Sequence, residues 1–542
     1  MSRPRAAFAV IVLLSVAVGP SGVTAATSSS DAAAESTPRI VGAYPNPVAD
    51  EDATEFVVLD VPSPTGLDAY SLSDGDRAVE LPNTTVSGRV VLTHAPERVR
   101  ELTDDRVLGV DSSLGLANGG ETLTLRRNGT TVDTAVYREA PTGKLANWSA
   151  TDRGLRWETP GTTSHPIVEA RNTTVRTFVL PDGSDVVPAE VAAADERILL
   201  AGYTFGSERL TDRLAAAARR GVTVRVLLEG DPVGGLTTRE ARLLDGLVAA
   251  GVDVRLLGGP YARYDFHHAK YAVVDDSALV LTENFKPAGT GGRSSRGWGV
   301  VLSDPQIVGG LAETFRADAD WRAARPWSKF RRGRTFEQSH AANGSYPTQV
   351  APEMRHAERV ELLVTPDNAE SRLVSLIDAA NESVRVIQVS VDDRRGPFVT
   401  AALRAARRGV DVRLLLSSAW YVREDNRRLA DALNERADDE DLPLTVKLAD
   451  PRGRYEKIHA KGVVVDDHTV VLGSLNWNRE SARNNREVLA VLHGESVAEY
   501  YGRVFDADWG DRGTPLPVGL LGGVAGCLVV AGLVVRRIEF DR

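Results

Sequence analysis

Two short stretches hold the side chains best suited to chemistry. DFHHAKYAVVDDSALVLTENF spans Asp265–Phe285, and EKIHAKGVVVDDHTVVLGSLNWNRES spans Glu456–Ser481, about 190 residues later. Each sets a histidine two residues ahead of a lysine: His268 with Lys270, and His459 with Lys461. In a strand, residues i and i+2 share a face, so each imidazole is expected beside an ammonium. An imidazole is accessible both neutral and protonated near neutral pH, so two of them can divide attack and proton donation. The lysines bring positive charge for an anionic transition state. Asp275 and Asp466 stand at the same offset beyond each lysine, at a predicted hairpin, and suit fixing that turn better than moving a proton. The second copy continues into Gly473, Ser474 and Asn476. Glycine there allows close backbone approach, and Ser and Asn offer neutral hydrogen-bonding groups. His267 adjoins His268, but only His268 has Lys at +2 and Asp at +7, so His267 is expected on the opposite face.

The elements that must position these groups also occur twice. RILLAGYTF, VTVRVLLEG and VDVRLLGG read as strands alternating with the helical runs ERLTDRLAAAARRG and REARLLDGLVAAG. SVRVIQVSV, FVTAALRAARRG, VDVRLLLSS, NRRLADALNERA and LTVKLAD repeat the pattern, with Arg219-Arg220-Gly221-Val222 and Arg407-Arg408-Gly409-Val410 at equivalent points. Two α/β modules follow from this, over 170–325 and 356–510, joined by a polar linker at 326–355.

The two copies resemble the phospholipase D superfamily, whose HKD signature is H-x-K-x4-D-x6-G-S-x-N. The second copy matches throughout: His459, Lys461, Asp466, Gly473, Ser474 and Asn476. The first matches His268, Lys270 and Asp275 but then reads Thr282-Glu283-Asn284, without the Gly-Ser and with Asn284 one residue early. The resemblance implies that the motifs meet across a pseudo-twofold axis and cleave a phosphodiester through a phosphohistidine. It implies catalytic roles for His268, Lys270, Asp275, His459, Lys461, Asp466, Ser474, Asn476 and Glu487, with Asn284 and Gly473 at the substrate. By family tendency His268 is the nucleophile and His459 the acid. Glu487 lies where members carry a carboxylate that orients the opposite histidine. The corresponding SSRGWGVVL of the first copy has none, so the two histidines are expected in unequal environments.

Between residues 39 and 166 EFVVLDV, GRVVLTH, ETLTLRRNG and TTVDTAVY are short β-rich runs parted by turn residues, the texture of a β-sandwich. Their order resembles a lamin-tail domain, which implies an immunoglobulin-like sandwich used for attachment. Ala69-Tyr70 departs from the Trp often found there.

The termini suggest export. Residues 1–25 combine Arg3 and Arg5, the apolar Ala6–Val18 and small residues before a cleavage point, as a signal peptide does, and 26–38 is a Ser/Ala/Thr-rich linker. Leu516–Val535 offers about 20 uncharged residues, a bilayer span, followed by Arg536 and Arg537 in a short tail, 536–542, expected on the cytoplasmic side. Its Gly519/Gly523 and Gly522/Gly526 spacings permit a homodimer through close helix packing. The lone cysteine, Cys527, lies in this span, which excludes disulfides and thiol chemistry. A net charge of −10 argues against a general nucleic-acid coat, although Arg331–Arg334 is a local candidate phosphate patch.

The expected protein is therefore multidomain: a β-sandwich, two α/β modules sharing one site, and a C-terminal membrane helix. The expected function is an exported, membrane-anchored phosphodiesterase acting on phospholipid or DNA, without metal or cofactor. Phosphatidyl transfer of the cardiolipin-synthase kind is the enzymatic alternative, and an envelope adhesion protein with a decayed site is the non-enzymatic one.

Overall fold

The computed structural model describes residues 37–510, except 48–53, 149–153, 260, 339 and 392–393. The expected leader and the Leu516–Val535 span lie outside the described residues. Among the described residues no helix is long and apolar enough to cross a membrane. The chain divides into two units at Glu158/Thr159.

The first unit is all-β. Its strands are β1 (Arg39–Tyr44), β2 (Phe56–Gly66), β3 (Tyr70–Ser73), β4 (Ala78–Glu80), β5 (Thr85–Thr93), β6 (Arg106–Gly109), β7 (Gly120–Arg127), β8 (Thr130–Arg138), β9 (Leu145–Trp148) and β10 (Leu155–Glu158). They form sheets ordered β10-β9-β1-β2-β5-β6 and β4-β3-β7-β8. Val57, Leu59 and Val90 of the first sheet share a core with Leu72, Leu123 and Leu125 of the second, so the two sheets pack as a sandwich.

The second unit is built on one continuous sheet. In chain order the strands of its first half are β11 (Val168–Leu180), β12 (Arg197–Gly202), β13 (Thr223–Glu229), β14 (Asp253–Leu257), β15 (Tyr271–Val274), β16 (Ser277–Leu281), β17 (Ser295–Leu302) and β18 (Arg325–Pro326). The second half has β19 (Glu353–Val364), β20 (Ser383–Gln388), β21 (Asp411–Leu416), β22 (Leu444–Leu448), β23 (Lys457–Ile458), β24 (Gly462–Val465), β25 (Thr469–Gly473) and β26 (Val488–His493). The sheet runs β18-β14-β13-β12-β15-β16-β17-β11-β19-β26-β25-β24-β20-β21-β22. Away from the short β18, that order reads the same from either end: three parallel strands, an antiparallel hairpin, a return strand, then a long strand at the centre. The antiparallel pair β11–β19 joins the halves, from Val168↔Leu362 to Thr177↔Glu353.

Helices cover both faces because the strands are apolar on both. Along β13, Val224, Val226 and Leu228 face one core and Leu227 another. Glu208–Arg220 and Thr238–Ala249 pack on the outer core of the first half, and Ala369–Asp378, Pro397–Arg407 and Arg423–Glu440 on that of the second. Pro305–Ala319 and Glu495–Trp509 lie on the other face, in a core that both halves share. Helix limits follow local chemistry: Ser207 accepts the Leu210 N–H at one end of Glu208–Arg220, and Gly221, at φ 99°, closes the other.

Two boundaries differ from the sequence reading. Thr159–Pro166, assigned there to the sandwich, belongs to the second unit, where the His165 N–H donates to Asp367 Oδ2 (2.6 Å) and Asn368 donates to the His165 carbonyl (2.9 Å). The presumed linker at 326–355 begins with a packed turn of helix, Trp327–Phe330, whose aromatic rings are buried in the outer core. Arg331 pairs with Asp245 at 3.0 Å and Arg334 lies over the Phe330 ring, so two of the three arginines of the candidate phosphate patch are tied to their own surface.

Candidate active site

Neither H-x-K triplet lies within a strand. Each is an extended segment just ahead of one, β15 or β24, and each is stitched to the other half of the sheet. The His268 N–H donates to the Arg486 carbonyl (2.9 Å), just before β26, and the His459 N–H donates to the Arg296 carbonyl (3.0 Å) in β17. The second half thus anchors the first histidine, and the first half anchors the second.

The same crossing supplies the carboxylates. Glu487 is buried, and its oxygens lie 2.9 and 3.0 Å from His268 Nδ1. Burial alone would raise its pKa, but His268 and Lys270 outweigh burial and hold the carboxyl below its ordinary value. His459 Nδ1 lies 3.2 Å from an oxygen of Glu283, a residue given no role in the sequence reading. SSRGWGVVL carries no carboxylate, and Glu283 supplies one instead from two residues beyond β16. Register explains how. Across the two hairpins Leu281 faces Gly299 and Gly473 faces Leu489, so Gly297 occupies the position of Glu487, and Leu475 that of Glu283. A Cβ on Gly297 would lie 2.2 Å from Glu283 Cγ. One carboxylate has moved to the neighbouring strand, into space that glycine leaves open.

Register also accounts for the altered first motif. The β15–β16 hairpin pairs Val274 with Ser277, whereas β24–β25 pairs Val465 with Thr469, one residue further apart. Asn284 arrives early because its hairpin is one residue shorter, and Thr282 stands where the second copy has Ser474. Their hydroxyls accept equivalent backbone bonds, Thr282 from Trp298 N–H (2.9 Å) and Ser474 from Val488 N–H (3.0 Å). Asn284 and Asn476 follow them, each with a buried side-chain oxygen that has no hydrogen-bond partner among the described residues. Gly473 permits the tight pairing next to this site, since a Cβ on it would lie 2.2 Å from the Val488 carbonyl.

Both lysines are buried beside their own histidines. Lys270 Nζ donates to the His268 carbonyl and lies 5.2 Å from the Tyr203 ring centroid. Lys461 Nζ donates to the His459 carbonyl at 2.8 Å and to the Thr282 carbonyl at 3.4 Å. Burial lowers Lys461 to about 8, against the pull of Glu283 and Glu487, and holds Lys270 well below its ordinary value. Burial also pushes His268 down to about 4, helped by Lys270 and Lys461 and opposed by Glu487. For His459, burial and then Lys461, Lys270 and Lys286 lower the pKa well below its usual value. Burial and the neighbouring lysines thus favour the neutral form of both imidazoles. The site combines two imidazoles, each with a carboxyl group at Nδ1, and two buried lysines, a set able to attack, protonate and neutralise an anionic phosphorus centre.

Asp275 and Asp466 lie away from these groups, at the far ends of β15 and β24. Each adopts a positive φ, 49° and 51°, and each carboxylate accepts three backbone N–H groups. Asp275 takes those of Asp195, Glu196 and Arg197, and Asp466 those of Asn381, Glu382 and Ser383, at 2.8–2.9 Å. They tie each hairpin to the start of a parallel strand and do not touch the reacting groups. His267 points away from His268, with its Nε2 3.4 Å from Asp318.

A second set of residues went unrecognised in the sequence. Buried Arg486 meets Asp318 (3.0 Å) and Asp367 (3.3 Å), and buried Arg296 meets Asp508 (2.9 Å) and Asp182 (2.7 Å). Arg263 joins Asp318 at 2.9 Å and Arg454 joins Asp508 at 3.2 Å. The Arg486 and Arg296 guanidiniums lie over Tyr264 and Tyr455. These clusters hold the carbonyls that bond to the two histidine N–H groups. The signal was present as a wider repeat: R-Y-x-x-x-H-A-K at Arg263–Lys270 and Arg454–Lys461, and F-x-A-D at Phe315–Asp318 and Phe505–Asp508.

Known proteins match both halves of this unit. The family model described as "Cardiolipin synthase, PLD-like domain" matches residues 188–321 and 373–509, together half of the chain. Cardiolipin synthase B of Escherichia coli K12 is 26% identical over 343 residues, covering 58% of this chain and 76% of that protein. Cardiolipin synthase A of Pseudomonas aeruginosa is 37% identical over 142 residues, 26% of each chain. Among solved structures, phosphatidylserine synthase of Haemophilus influenzae Rd KW20 aligns with TM-score 0.48 and 13% identity, over 66% of this chain and 94% of that one. Nuc of Salmonella typhimurium, a phospholipase D family member, aligns with TM-score 0.25 and 19% identity, over 29% and 97%. With the family model matched in both halves, the chain belongs to the PLD-like domain family of the phospholipase D superfamily.

Proposed function

We propose that the protein transfers a phosphatidyl group between alcohols through a phosphohistidine, and that hydrolysis is the same reaction with water as acceptor. The observation that carries this reading is the crossed pairing of each imidazole with a carboxylate beside two buried lysines. His268 donates Nδ1–H to Glu487, which leaves the Nε2 lone pair to attack phosphorus. The P–N bond forms as the P–O bond to the leaving alcohol breaks, and His459 gives that oxygen a proton. Lys270 and Lys461 face the charge on the phosphoryl oxygens, with Ser474, Asn284 and Asn476 as neutral partners. In the second half-reaction the acceptor hydroxyl yields its proton to His459 and attacks the phosphohistidine.

Two lines favour lipid over nucleic acid. The curated relatives described above are named cardiolipin synthases. The mouth of the site also carries exposed apolar groups at equivalent places, in the loops after β13 and β21. Val233 is 81% exposed, and its N–H donates to the Tyr203 hydroxyl (2.7 Å), whose ring lies 4.6 Å from that of His268. Trp420 is 86% exposed and packs edge-on against Tyr421, whose ring lies under Lys457. Apolar groups at the rim of a charged cleft suit a lipid–water interface. We further propose that the leader and the Leu516–Val535 segment place this reaction on the outer side of the membrane, with the β-sandwich as an attachment module.

The test is to incubate the purified protein with phosphatidylglycerol vesicles, with single- and double-stranded DNA, and with bis-(p-nitrophenyl) phosphate. Cardiolipin and glycerol as products support transfer. Phosphatidic acid alone would reduce the proposal to hydrolysis, and DNA cleavage without lipid turnover would overturn it.

A further inference from the structure

His268 and His459 have the same backbone frame but different carboxylates, and the difference concerns protons. Glu487 is well partnered: it takes the His268 imidazole and an amide N–H of Asn485 at 3.2 Å. Glu283 is buried, its Oε1 has no hydrogen-bond partner among the described residues, and its other oxygen faces His459 Nδ1. An ionised carboxylate with one bare buried oxygen is costly, whereas the protonated form removes the charge that makes it so. Lys461 Nζ lies 3.2 Å from His459 Nδ1 and 3.4 Å from Nε2. An ammonium only donates, and at these nearly equal distances it stands beside both ring nitrogens without fixing which one carries the proton. With the ring proton on Nε2, Nδ1 can accept from Glu283 Oε2, 3.2 Å away, only when that carboxyl is protonated.

From this geometry we propose that Glu283 is the proton reserve of the His459 half-site, and that His459 acts as a neutral relay. The Nε2–H bond breaks as the leaving alkoxide takes that proton, and Glu283 passes its own proton to Nδ1. The imidazole stays neutral throughout, and the negative charge moves from the leaving oxygen to Glu283. In the second half-reaction the acceptor's proton enters at Nε2 while the Nδ1 proton returns to Glu283, so the cycle closes. The surroundings suit both states. Burial raises the Glu283 carboxyl to about 8, and Lys461, then Lys286, Lys270 and Lys457, favour the carboxylate once it forms. These four lysines, His459 and the Tyr421 hydroxyl are the titratable groups that face it among the described residues. The relay rests on His459 being the acid in the reaction proposed above.

Two measurements on the full-length protein test it. Infrared difference spectroscopy across a pH titration should show a protonated carboxylic acid at neutral pH that ionises near pH 8, is absent in Glu283→Gln and is shifted in Glu283→Asp. A spectrum without any Glu283-dependent acid band would overturn the proposal, whatever the enzyme's substrate. Kinetically, Glu283→Gln should lose about 10²–10⁴ in turnover of an alkyl phosphodiester, which needs a proton, and less than about tenfold with bis-(p-nitrophenyl) phosphate, which does not. Equal losses on both substrates, with the fold intact, would make Glu283 a packing residue and sink the relay. If the wild type turns over neither substrate, the phosphodiester reading fails, and the infrared titration still decides where the proton resides.

Discussion

Replacing Glu487 with Gln isolates what the carboxylate contributes to attack by His268. Gln keeps the size and an acceptor oxygen for Nδ1–H, so the substitution removes charge and little else. Both groups are buried, and the contact is 2.9 Å. At an effective dielectric of about 20, a full positive charge on the ring would interact with the carboxylate by about 6 kcal/mol. In the transition state the attacking imidazole carries about half a charge, so about 3 kcal/mol is lost, near 10²-fold in rate. The assay is single-turnover formation of the phosphoenzyme from bis-(p-nitrophenyl) phosphate, whose leaving group needs no proton and so reports on attack alone. Circular dichroism and thermal unfolding check that Lys270, which loses a compensating anion, has not disrupted the fold. A rate within about threefold of wild type would refute the assignment of His268 as the nucleophile supported by Glu487. So would a defect confined to loss of the phosphoryl group.

Further expectations follow from the same geometry. His268→Ala should form no phosphoenzyme with any leaving group, whereas His459→Ala should lose about 10²–10⁴ with alkyl diesters and keep more activity toward p-nitrophenyl esters; a phosphohistidine trapped at His459 would reverse the roles. Asp466→Ala should cost about 2 kcal/mol of stability by freeing three backbone N–H groups, while kcat of the folded fraction stays near normal; a large kcat loss at full stability would contradict its placement. Trp420→Ser with Val233→Ser should weaken vesicle binding and lipid turnover and leave bis-(p-nitrophenyl) phosphate turnover unchanged, as measured by co-sedimentation and product release. His268, lowered to about 4, stays neutral in the fold while the unfolded chain binds its proton below about 6.5, so stability should fall with pH across that window. His268→Gln should flatten that slope in urea titrations at successive pH values.

The sequence carried the modules and most of the site because those features are local or periodic. Strand and helix alternate visibly, and His268, Lys270, His459 and Lys461 lie at fixed spacings that a duplicated strand must repeat. β11 and β19 were hidden because their partners are each other and strands far along the chain, so no local pattern marks them as the centre of a shared sheet. Glu283 was hidden for a different reason. Its meaning depends on Gly297 across the hairpin, and a missing side chain at one position that makes room for another is a fact of register. The early Asn284 looked like decay and is instead a hairpin shorter by one residue, with Thr282 keeping the bond that Ser474 makes.

The crossed stitching explains why a carboxylate can change strands without losing its task. What an imidazole requires is an oxygen at Nδ1 and a fixed backbone, and these come from different sources here. The backbone is fixed by the Arg296 and Arg486 carbonyls, which bond the His459 and His268 N–H groups and are themselves held by buried Asp pairs. That frame is the same in both halves. The carboxylate needs only to reach the ring, and from β16 or β26 it does so equally well, provided the facing position is small. The two sites of departure differ in what surrounds them: Glu487 sits among N–H donors that favour its charge, and Glu283 has one bare oxygen among ammoniums that neutralise it only in part. A duplicated frame with one relocated acid therefore yields one imidazole poised to attack and one backed by a stored proton. Neither half can do this alone, since each histidine takes both its backbone anchor and its carboxylate from the other.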